Sequence, residues 1–354
     1  MITFNGGVLS QQITGVQRYA WEILNEIYAL DKKNKAGKLK LRIIIPKSEP
    51  LPNDRFSEIC TSTVSVARPL WTQLILPFFS KGVLLSLGNV GPLLVRKQIL
   101  CIHDLNTKIV PSSYSKSFRI YYSIMIPLLA RNVKHLVTVS EFSKQVLEEY
   151  GIGRGREIHV IPNGHEHVHT WDSTKSFINE KFDISKKFVF MIGSRAAHKN
   201  TKVVEAIADK LDKLSVNLVI AGRSGGHFAK LDTIERPNVF FLGPVSDDDL
   251  SMLYKHAVCL AFPSLTEGFG LPALEAMALG CPVVCSPVAS MPEVCGNAAV
   301  YADPNDSLDW FNQIEHILTD ERLRNEMKAS GLQQASRFSW KSSAEKYLNL
   351  LVDD

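Results

Sequence analysis

The 354-residue sequence has few cysteines and no long apolar run, and each shortage excludes a class of protein. Its six scattered cysteines, none in a Cys-x-x-Cys pair, exclude a disulfide scaffold and offer no zinc-binding or thioredoxin-like motif. Apolar runs such as 83–87 and 258–262 are far shorter than the roughly 20 residues of a membrane-spanning helix. No basic region followed by an apolar stretch opens the chain, so we expect a cytoplasmic protein.

The common nucleotide and metal motifs are also missing. No Gly-x-Gly-x-x-Gly follows a predicted strand and no Walker P-loop is present, which argues against a nicotinamide dehydrogenase and a P-loop NTPase. Residues 165–169 match the letters of a zinc-protease motif, but they follow Pro-Asn-Gly and precede Thr-Trp-Asp. Because that zinc chemistry needs both histidines on one face of a helix, we interpret this stretch as a solvated linker.

Charge is distributed unevenly along the chain. Residues 1–165 carry 21 Lys and Arg against 11 Asp and Glu, a net charge of +10, whereas residues 166–354 carry 19 against 25, a net charge of −6. A basic first half can face anionic lipid, nucleic acid or a phosphorylated substrate. The alternative is a helical domain whose many lysines are simply solvated.

Short runs of Val, Ile and Leu alternate with amphipathic stretches in two series. The first predicts strands at 41–45, 83–87, 99–103, 136–139 and 159–161, with helices at 16–28, 118–130 and 141–150. The second predicts strands at 188–192, 216–221, 239–242, 258–261 and 282–286, with helices at 201–211, 247–255, 272–279 and 307–319. This alternation predicts two doubly wound α/β domains joined near 162–186. Such sheets bind ligands beyond the carboxyl ends of their strands, so we expect the site in a cleft between the domains.

One segment combines two acidic residues with a glycine-rich turn. A loop after a predicted strand carries Glu267-Gly-Phe-Gly-Leu-Pro272, and Glu275 lies about one turn inside the next helix, for which Pro272 suits the first turn. Gly268 and Gly270 let backbone amides approach a ligand, and the helix N-terminus presents unpaired donors to an anion. The pattern predicts a phosphate at the helix start with a hydroxyl-binding carboxylate on either side. A purely structural turn is the alternative, and it does not explain the two flanking acids.

Two glutamates eight residues apart around Gly-Phe-Gly-Leu-Pro resemble the hallmark of the retaining nucleotide-sugar glycosyltransferases of family four. The resemblance covers nearly the whole chain through weaker segments in the family's order, at 13–20, 87–92, 102–105, 139–144, 161–164, 192–200, 219–222, 241–245 and 338–340. The first of these is similar to bacterial polysaccharide mannosyltransferases. The resemblance implies the GT-B fold, which has two Rossmann-like doubly wound domains facing a central cleft. It implies an acceptor-binding domain at 1–165, a nucleotide-sugar-binding domain at 166–340, and a helix at 341–354 that crosses back to the N-terminal domain.

The same resemblance implies catalytic roles for charged residues. Arg195 and Lys199 would neutralise the departing diphosphate, since cations aimed at a developing charge stabilise the transition state. His198 stands where the family commonly has an arginine, so either Arg195 or a shifted neighbour pairs with Lys199. Glu275 would accept hydrogen bonds from the ribose hydroxyls, and Glu267 from hydroxyls of the donor sugar.

Further residues are assigned to the donor by the resemblance. His103, at the end of a predicted strand, matches the family histidine near the reacting sugar. The residues expected to bind the donor are Gly15, Val16, Val245, Asp247, Gly268, Phe269, Gly270, Leu271 and Glu275. A carboxylate at Asp247 can accept from both N1–H and the amino group of guanine, whereas uracil offers one comparable donor. Capping of the following helix is the alternative role for the acidic triplet 247–249.

The function that the resemblance implies is a retaining hexosyltransferase. It would move mannose from GDP-mannose onto a glycan or lipid-linked glycan in bacterial surface polysaccharide synthesis. UDP-glucose or UDP-galactose is the alternative donor, and a sugar-nucleotide epimerase or a non-catalytic carbohydrate-binding protein is the alternative function. We expect no metal or other cofactor and no nucleic-acid partner. The basic first half fits an anionic surface at the inner face of the plasma membrane.

Overall fold

A computed structural model describes residues 1–33, 40–47, 54–193, 196–222 and 236–352. The chain forms two compact units, one of Met1–Gly164 with Ser339–Asp354 and the other of His165–Phe338. The sequence boundaries at 165 and 340 therefore lie one and two residues from those of the structure.

The N-terminal unit contains a seven-stranded parallel sheet of order β3-β2-β1-β4-β5-β6-β7. Its strands are β1 (Ile2–Asn5), β2 (Leu41–Pro46), β3 (Cys60–Thr63), β4 (Val83–Ser86), β5 (Gln98–Cys101), β6 (His135–Thr138) and β7 (Ile158–Val160). Its helices are α1 (Gly15–Lys33), α2 (Arg68–Leu70), α3 (Leu76–Phe79), α4 (Asn106–Ile109), α5 (Lys116–Asn132), α6 (Glu141–Glu149) and, from the end of the chain, α14 (Trp340–Val352). A π-helical turn, Trp71–Ile75, joins α2 to α3.

The C-terminal unit contains a six-stranded parallel sheet of order β10-β9-β8-β11-β12-β13. Its strands are β8 (Phe188–Ile192), β9 (Asn217–Ala221), β10 (Val239–Gly243), β11 (Cys259–Phe262), β12 (Val283–Cys285) and β13 (Val300–Tyr301). Its helices are α7 (Lys202–Glu205), α8 (Ala208–Lys213), α9 (Asp247–His256), α10 (Leu271–Ala278), α11 (Met291–Cys295), α12 (Ser307–Thr319) and α13 (Glu321–Ala335).

Both sheets follow the doubly wound pattern that the alternating sequence predicts. In each, the chain winds outward from the first strand and then returns to build the other half, so the strand order reverses beside that strand. Most predicted strands and helices are confirmed within two residues at each end. Three strands were not predicted: β1 and β3 contain two and three polar residues, and β13 has only two residues, so none of them carries an apolar run.

The predicted helix at 201–211 is wrong as a continuous element. It divides into α7 and α8 because the chain tightens at Ile207, whose amide bonds to the Val204 carbonyl three residues back at 3.1 Å. This tightening is characteristic of a 3₁₀ turn.

The C-terminal helix α14 belongs to the N-terminal unit, where it packs against α1. Tyr19 Oη donates to the Ile161 carbonyl at 2.9 Å, so the Tyr347 hydroxyl, 2.9 Å away, donates to Tyr19. The Trp340 ring lies 5.7 Å from that of Tyr19 and is buried. Assigning Trp340 to the second domain was therefore wrong, because its ring packs in the core of the first. Among the described residues, no helix is long and apolar enough to cross a membrane.

Candidate active site

The reversal of strand order in the C-terminal sheet lies between β8 and β11, and the predicted site residues Lys199 and Glu267 follow these two strands. His198 and Lys199 lie in the turn after β8, and Glu267 lies in the loop after β11. The Leu265 amide donates to the His198 carbonyl at 2.7 Å, which ties the loop to the turn. Carboxyl ends of parallel strands beside such a reversal are the usual ligand site of this architecture.

Lys199 and Glu267 form a direct ion pair. Lys199 Nζ lies 2.6 Å from Glu267 Oε1, with the two side chains 21% and 13% exposed. The ammonium group also lies 5.6 Å from the centre of the Phe262 ring, and Ser290 Oγ donates to the Glu267 carbonyl at 3.0 Å. The site therefore presents one cation and one acceptor side by side, which suits an anion next to a hydroxyl.

The neighbouring His198 adds no positive charge at neutral pH. Burial lowers the pKa of this imidazole, and the adjacent Lys199 ammonium lowers the same pKa further. The cation that the family commonly has here is therefore not supplied by His198. Arg195, the other predicted cation, lies outside the described residues.

The glycine turn before α10 has a backbone conformation that favours glycine. Gly270 caps α10 at φ +96°, and a Cβ there would meet Met291 Sδ at 2.7 Å. The first turn of α10 has no hydrogen bond from a capping side chain. Gly268, Phe269 and Leu271 are buried, and the Phe269 ring lies 5.5 Å from that of Phe338. This geometry agrees with an anion at the helix start.

Glu275 lies on α10 as a buried carboxylate with a partner on each oxygen. His167 Nε2 lies 3.0 Å from Oε1, and the Tyr254 hydroxyl donates to Oε2 at 3.4 Å. Burial raises the pKa of Tyr254 well above its ordinary value, and the charge of Glu275 raises that pKa further. Tyr254 is therefore a neutral donor.

The three acidic residues that open α9, Asp247–Asp249, have different contacts. Ser246 and Asp249 form a reciprocal capping box, and Asp248 Oδ1 accepts from the Asp172 amide at 2.7 Å. Asp247 is half-buried, and its charge reaches Tyr254, whose pKa it helps to raise after the larger effects of burial and Glu275. Val245, also half-buried, lies two residues before Asp247.

In the N-terminal unit, His103 follows β5 and is neutral. Its Nε2 lies 2.9 Å from the Leu87 carbonyl, which can only accept, so Nε2 carries the proton and Nδ1 is left as an acceptor. Burial lowers the pKa of His103 to about 4, against the opposing effect of that hydrogen bond. Gly15 is exposed as the first residue of α1, next to the half-buried Val16, and a Cβ on it would meet nothing within 4 Å.

Comparison with known proteins places the chain in a family. The family described as "Glycosyl transferases group 1" matches residues 172–334. The chain is 29% identical over 266 residues to O-antigen chain mannosyltransferase B of Escherichia coli, covering 72% of this chain and 70% of that protein. It is 30% identical over 273 residues to O-antigen chain mannosyltransferase RfbU of Salmonella typhimurium, covering 73% of each. The chain belongs to the group 1 glycosyltransferases.

The whole fold of this glycosyltransferase is matched as well. Anabaena HepE, solved in complex with UDP and glucose, has a TM-score of 0.74 at 16% identity, covering 100% of this chain and 99% of that chain. The predicted fold class is thereby confirmed. Family membership likewise confirms the predicted enzyme class, a glycosyltransferase, over the epimerase and binding-protein alternatives. The roles of individual site residues stay predictions.

The residue that sequence reasoning missed in this glycosyltransferase is His167. The interpretation of 165–169 as a solvated linker was wrong, because Glu166–Thr170 forms a 3₁₀ turn and His167 is 4% exposed. A signal was present in α10, where Glu275 stands among buried apolar residues and so requires a donor. Nothing in the sequence says which donor. Within the described ranges, no group of three or more His, Cys, Asp or Glu residues could hold a metal ion.

Proposed function

We propose that this glycosyltransferase transfers mannose from GDP-mannose to a glycan or lipid-linked glycan of a bacterial surface polysaccharide. Two relatives named as O-antigen mannosyltransferases support the sugar and the acceptor class. The observation that carries the proposal is the pairing of Lys199 with Glu267 beside α10, which bears Glu275. In it, Lys199 faces the diphosphate, Glu267 the sugar hydroxyls and Glu275 the ribose.

The proposed reaction proceeds with retention of configuration and without a covalent intermediate. The bond from the anomeric carbon to the diphosphate oxygen breaks while the acceptor oxygen bonds to the same face of the sugar. The acceptor's proton passes to the departing diphosphate. Lys199 would stabilise the charge that grows on that leaving group. The anomeric configuration of the product, read by NMR spectroscopy, tests this step, and a configuration opposite to that of the donor would contradict it.

The proposal that the nucleotide base is guanine rests on Asp247. Helix capping, its alternative role, is carried out by Ser246 and Asp249, and the charge of Asp247 contributes to the raised pKa of Tyr254, which hydrogen-bonds Glu275. A carboxylate there can accept from the two donors on one edge of guanine. UDP-glucose or UDP-galactose is the alternative donor.

Calorimetric titration should therefore show tighter binding of GDP than of UDP. A site that loses a hydrogen bond to a buried group discriminates by about 1–3 kcal/mol, or about 5-fold to 150-fold in Kd. Asp247→Asn should shrink this preference, while Asp212→Asn, on the exposed face of α8, should leave it intact. Tighter binding of UDP to the unmodified protein would overturn the choice of guanine.

An anionic membrane at the cytoplasmic face is proposed as the place of action. On α5, Ile120, Ile124 and Leu128 are 61%, 54% and 41% exposed and lie four residues apart, so they share one face. The helical segment 68–79 of the same unit carries a second exposed apolar series. That series consists of Leu70, Leu74 and Phe78. Lys116 and Arg119, both exposed, add positive charge to α5.

Sedimentation with lipid vesicles should show stronger binding to anionic than to neutral vesicles, since each basic residue near such a surface contributes about 1 kcal/mol. Ile124→Ser should weaken this binding. Leu332→Ser, which replaces a 51% exposed leucine on α13 of the other unit, is the matched control and should not. Equal binding to the two kinds of vesicle would argue against a membrane partner.

A further inference from the structure

Glu275 is a carboxylate that the fold must hold in place. Its side chain is 8% exposed on an otherwise apolar helix, and burying an ionised carboxylate this deeply is strongly unfavourable unless it is hydrogen-bonded. His167 supplies the shorter of its two hydrogen bonds, 3.0 Å against 3.4 Å from Tyr254. The two donors bind different oxygens of the carboxylate.

The hydrogen-bond capacity left on Glu275 matches a pair of neighbouring hydroxyls. A carboxylate offers about four lone-pair positions, two on each oxygen. His167 and Tyr254 each use one, so one position on each oxygen is left for an outside donor. Two adjacent hydroxyls of a ribose donate in this bidentate pattern.

The turn that carries His167 is itself held in place. Thr170 Oγ1 donates to the His167 carbonyl at 2.8 Å, and the Trp171 ring lies edge-on to the imidazole with the ring centres 5.3 Å apart. Next to it, His165 Nδ1 lies 2.7 Å from the Phe338 carbonyl. These contacts fix the imidazole before any ligand binds, so the carboxylate does not have to be ordered by the nucleotide.

We infer that His167 is a positioning residue that fixes the Glu275 carboxylate for the 2′- and 3′-hydroxyls of the donor's ribose. This inference rests on the proposed function, in which Glu275 contacts the ribose. It assigns the 165–169 segment a part in substrate recognition: selection of ribonucleotides over deoxyribonucleotides. His167 acts through Glu275 and does not itself touch the ligand.

The test compares ribonucleotide and 2′-deoxyribonucleotide binding by calorimetry. The probes are GDP with 2′-deoxy-GDP and UDP with 2′-deoxy-UDP, so that the result does not depend on the base. The unmodified protein should bind the ribose form about 10-fold more tightly, the value of one hydrogen bond to a charged acceptor. His167→Asn, whose amide is too short to reach Oε1, should reduce the ratio to about 3-fold or less. His167→Gln, whose Nε2 can replace the imidazole donor, should restore it.

Two further variants separate the failure of this inference from failure of the proposed function. His169→Ala changes an exposed histidine of the same turn and should leave the ratio unchanged. Glu275→Gln should reduce the ratio, and adding His167→Asn to it should reduce the ratio no further. If Glu275→Gln leaves the ratio intact, the ribose assignment of Glu275 fails. If Glu275→Gln reduces it and His167→Asn does not, His167 has no positioning role.

Discussion

Replacing Lys199 with alanine is expected to lower kcat by about 10²–10³, the cost of removing one electrostatic group from a transition state. The Lys199 ammonium group lies 2.6 Å from Glu267 Oε1. Among the described residues of the turn after β8, Lys199 supplies the positive charge, because burial lowers the pKa of the neighbouring His198. Without Lys199, the Glu267 carboxylate would also repel the diphosphate. Both effects act in the same direction.

Initial rates at saturating donor measure this loss directly. Lys202→Ala, which removes an exposed lysine three residues along the same segment, is the matched control and should keep near-normal turnover. Thermal unfolding of both variants establishes that they are folded. Near-normal kcat in a folded Lys199→Ala protein would exclude Lys199 from the chemistry.

Replacing Glu275 with glutamine is expected to raise the KM for the donor by about 10-fold to 100-fold with a much smaller change in kcat. The amide is nearly isosteric but retains one acceptor oxygen, so one of two charge-assisted hydrogen bonds, worth about 1.5–3 kcal/mol, is lost. Because the ribose is remote from the breaking bond, its contacts contribute equally to ground state and transition state.

Steady-state kinetics with varied donor concentration distinguishes a change in KM from a change in kcat. A fall in kcat at unchanged KM would place Glu275 at the reacting centre instead. The comparison with Lys199→Ala is informative in itself, since the two variants should separate into a binding defect and a turnover defect.

Much of the fold could be predicted from the sequence because buried parallel strands consist of nearly continuous runs of Val, Ile and Leu. β8 was predicted with its exact ends, and α12 likewise. β3, with the sequence Cys-Thr-Ser-Thr, has no such run and is set by pairing with β2. Its formation depends on tertiary contacts, which local patterns do not encode.

The candidate site likewise contains residues that the sequence predicts and one residue that it does not. Glu267 and the turn at Gly270 were predictable because each lies next to a strand or helix end that the sequence marks, whereas Lys199 was implied by the family resemblance. His167 was not predictable, because it meets Glu275 across 108 residues of sequence and its own segment has no apolar period. The buried carboxylate indicated that a partner exists, but only the folded chain identifies it.

A crystal structure of the protein with GDP bound tests the central claim most directly, that the C-terminal unit is a nucleotide-sugar site built by Lys199, Glu267 and Glu275. The diphosphate should lie at the start of α10 within hydrogen-bond distance of Lys199 Nζ, and both ribose hydroxyls should donate to the Glu275 carboxylate. Asp247 should accept from the guanine edge. A nucleotide bound elsewhere, or bound here with its ribose away from Glu275 and the Lys199–Glu267 pair untouched, would contradict the assignment.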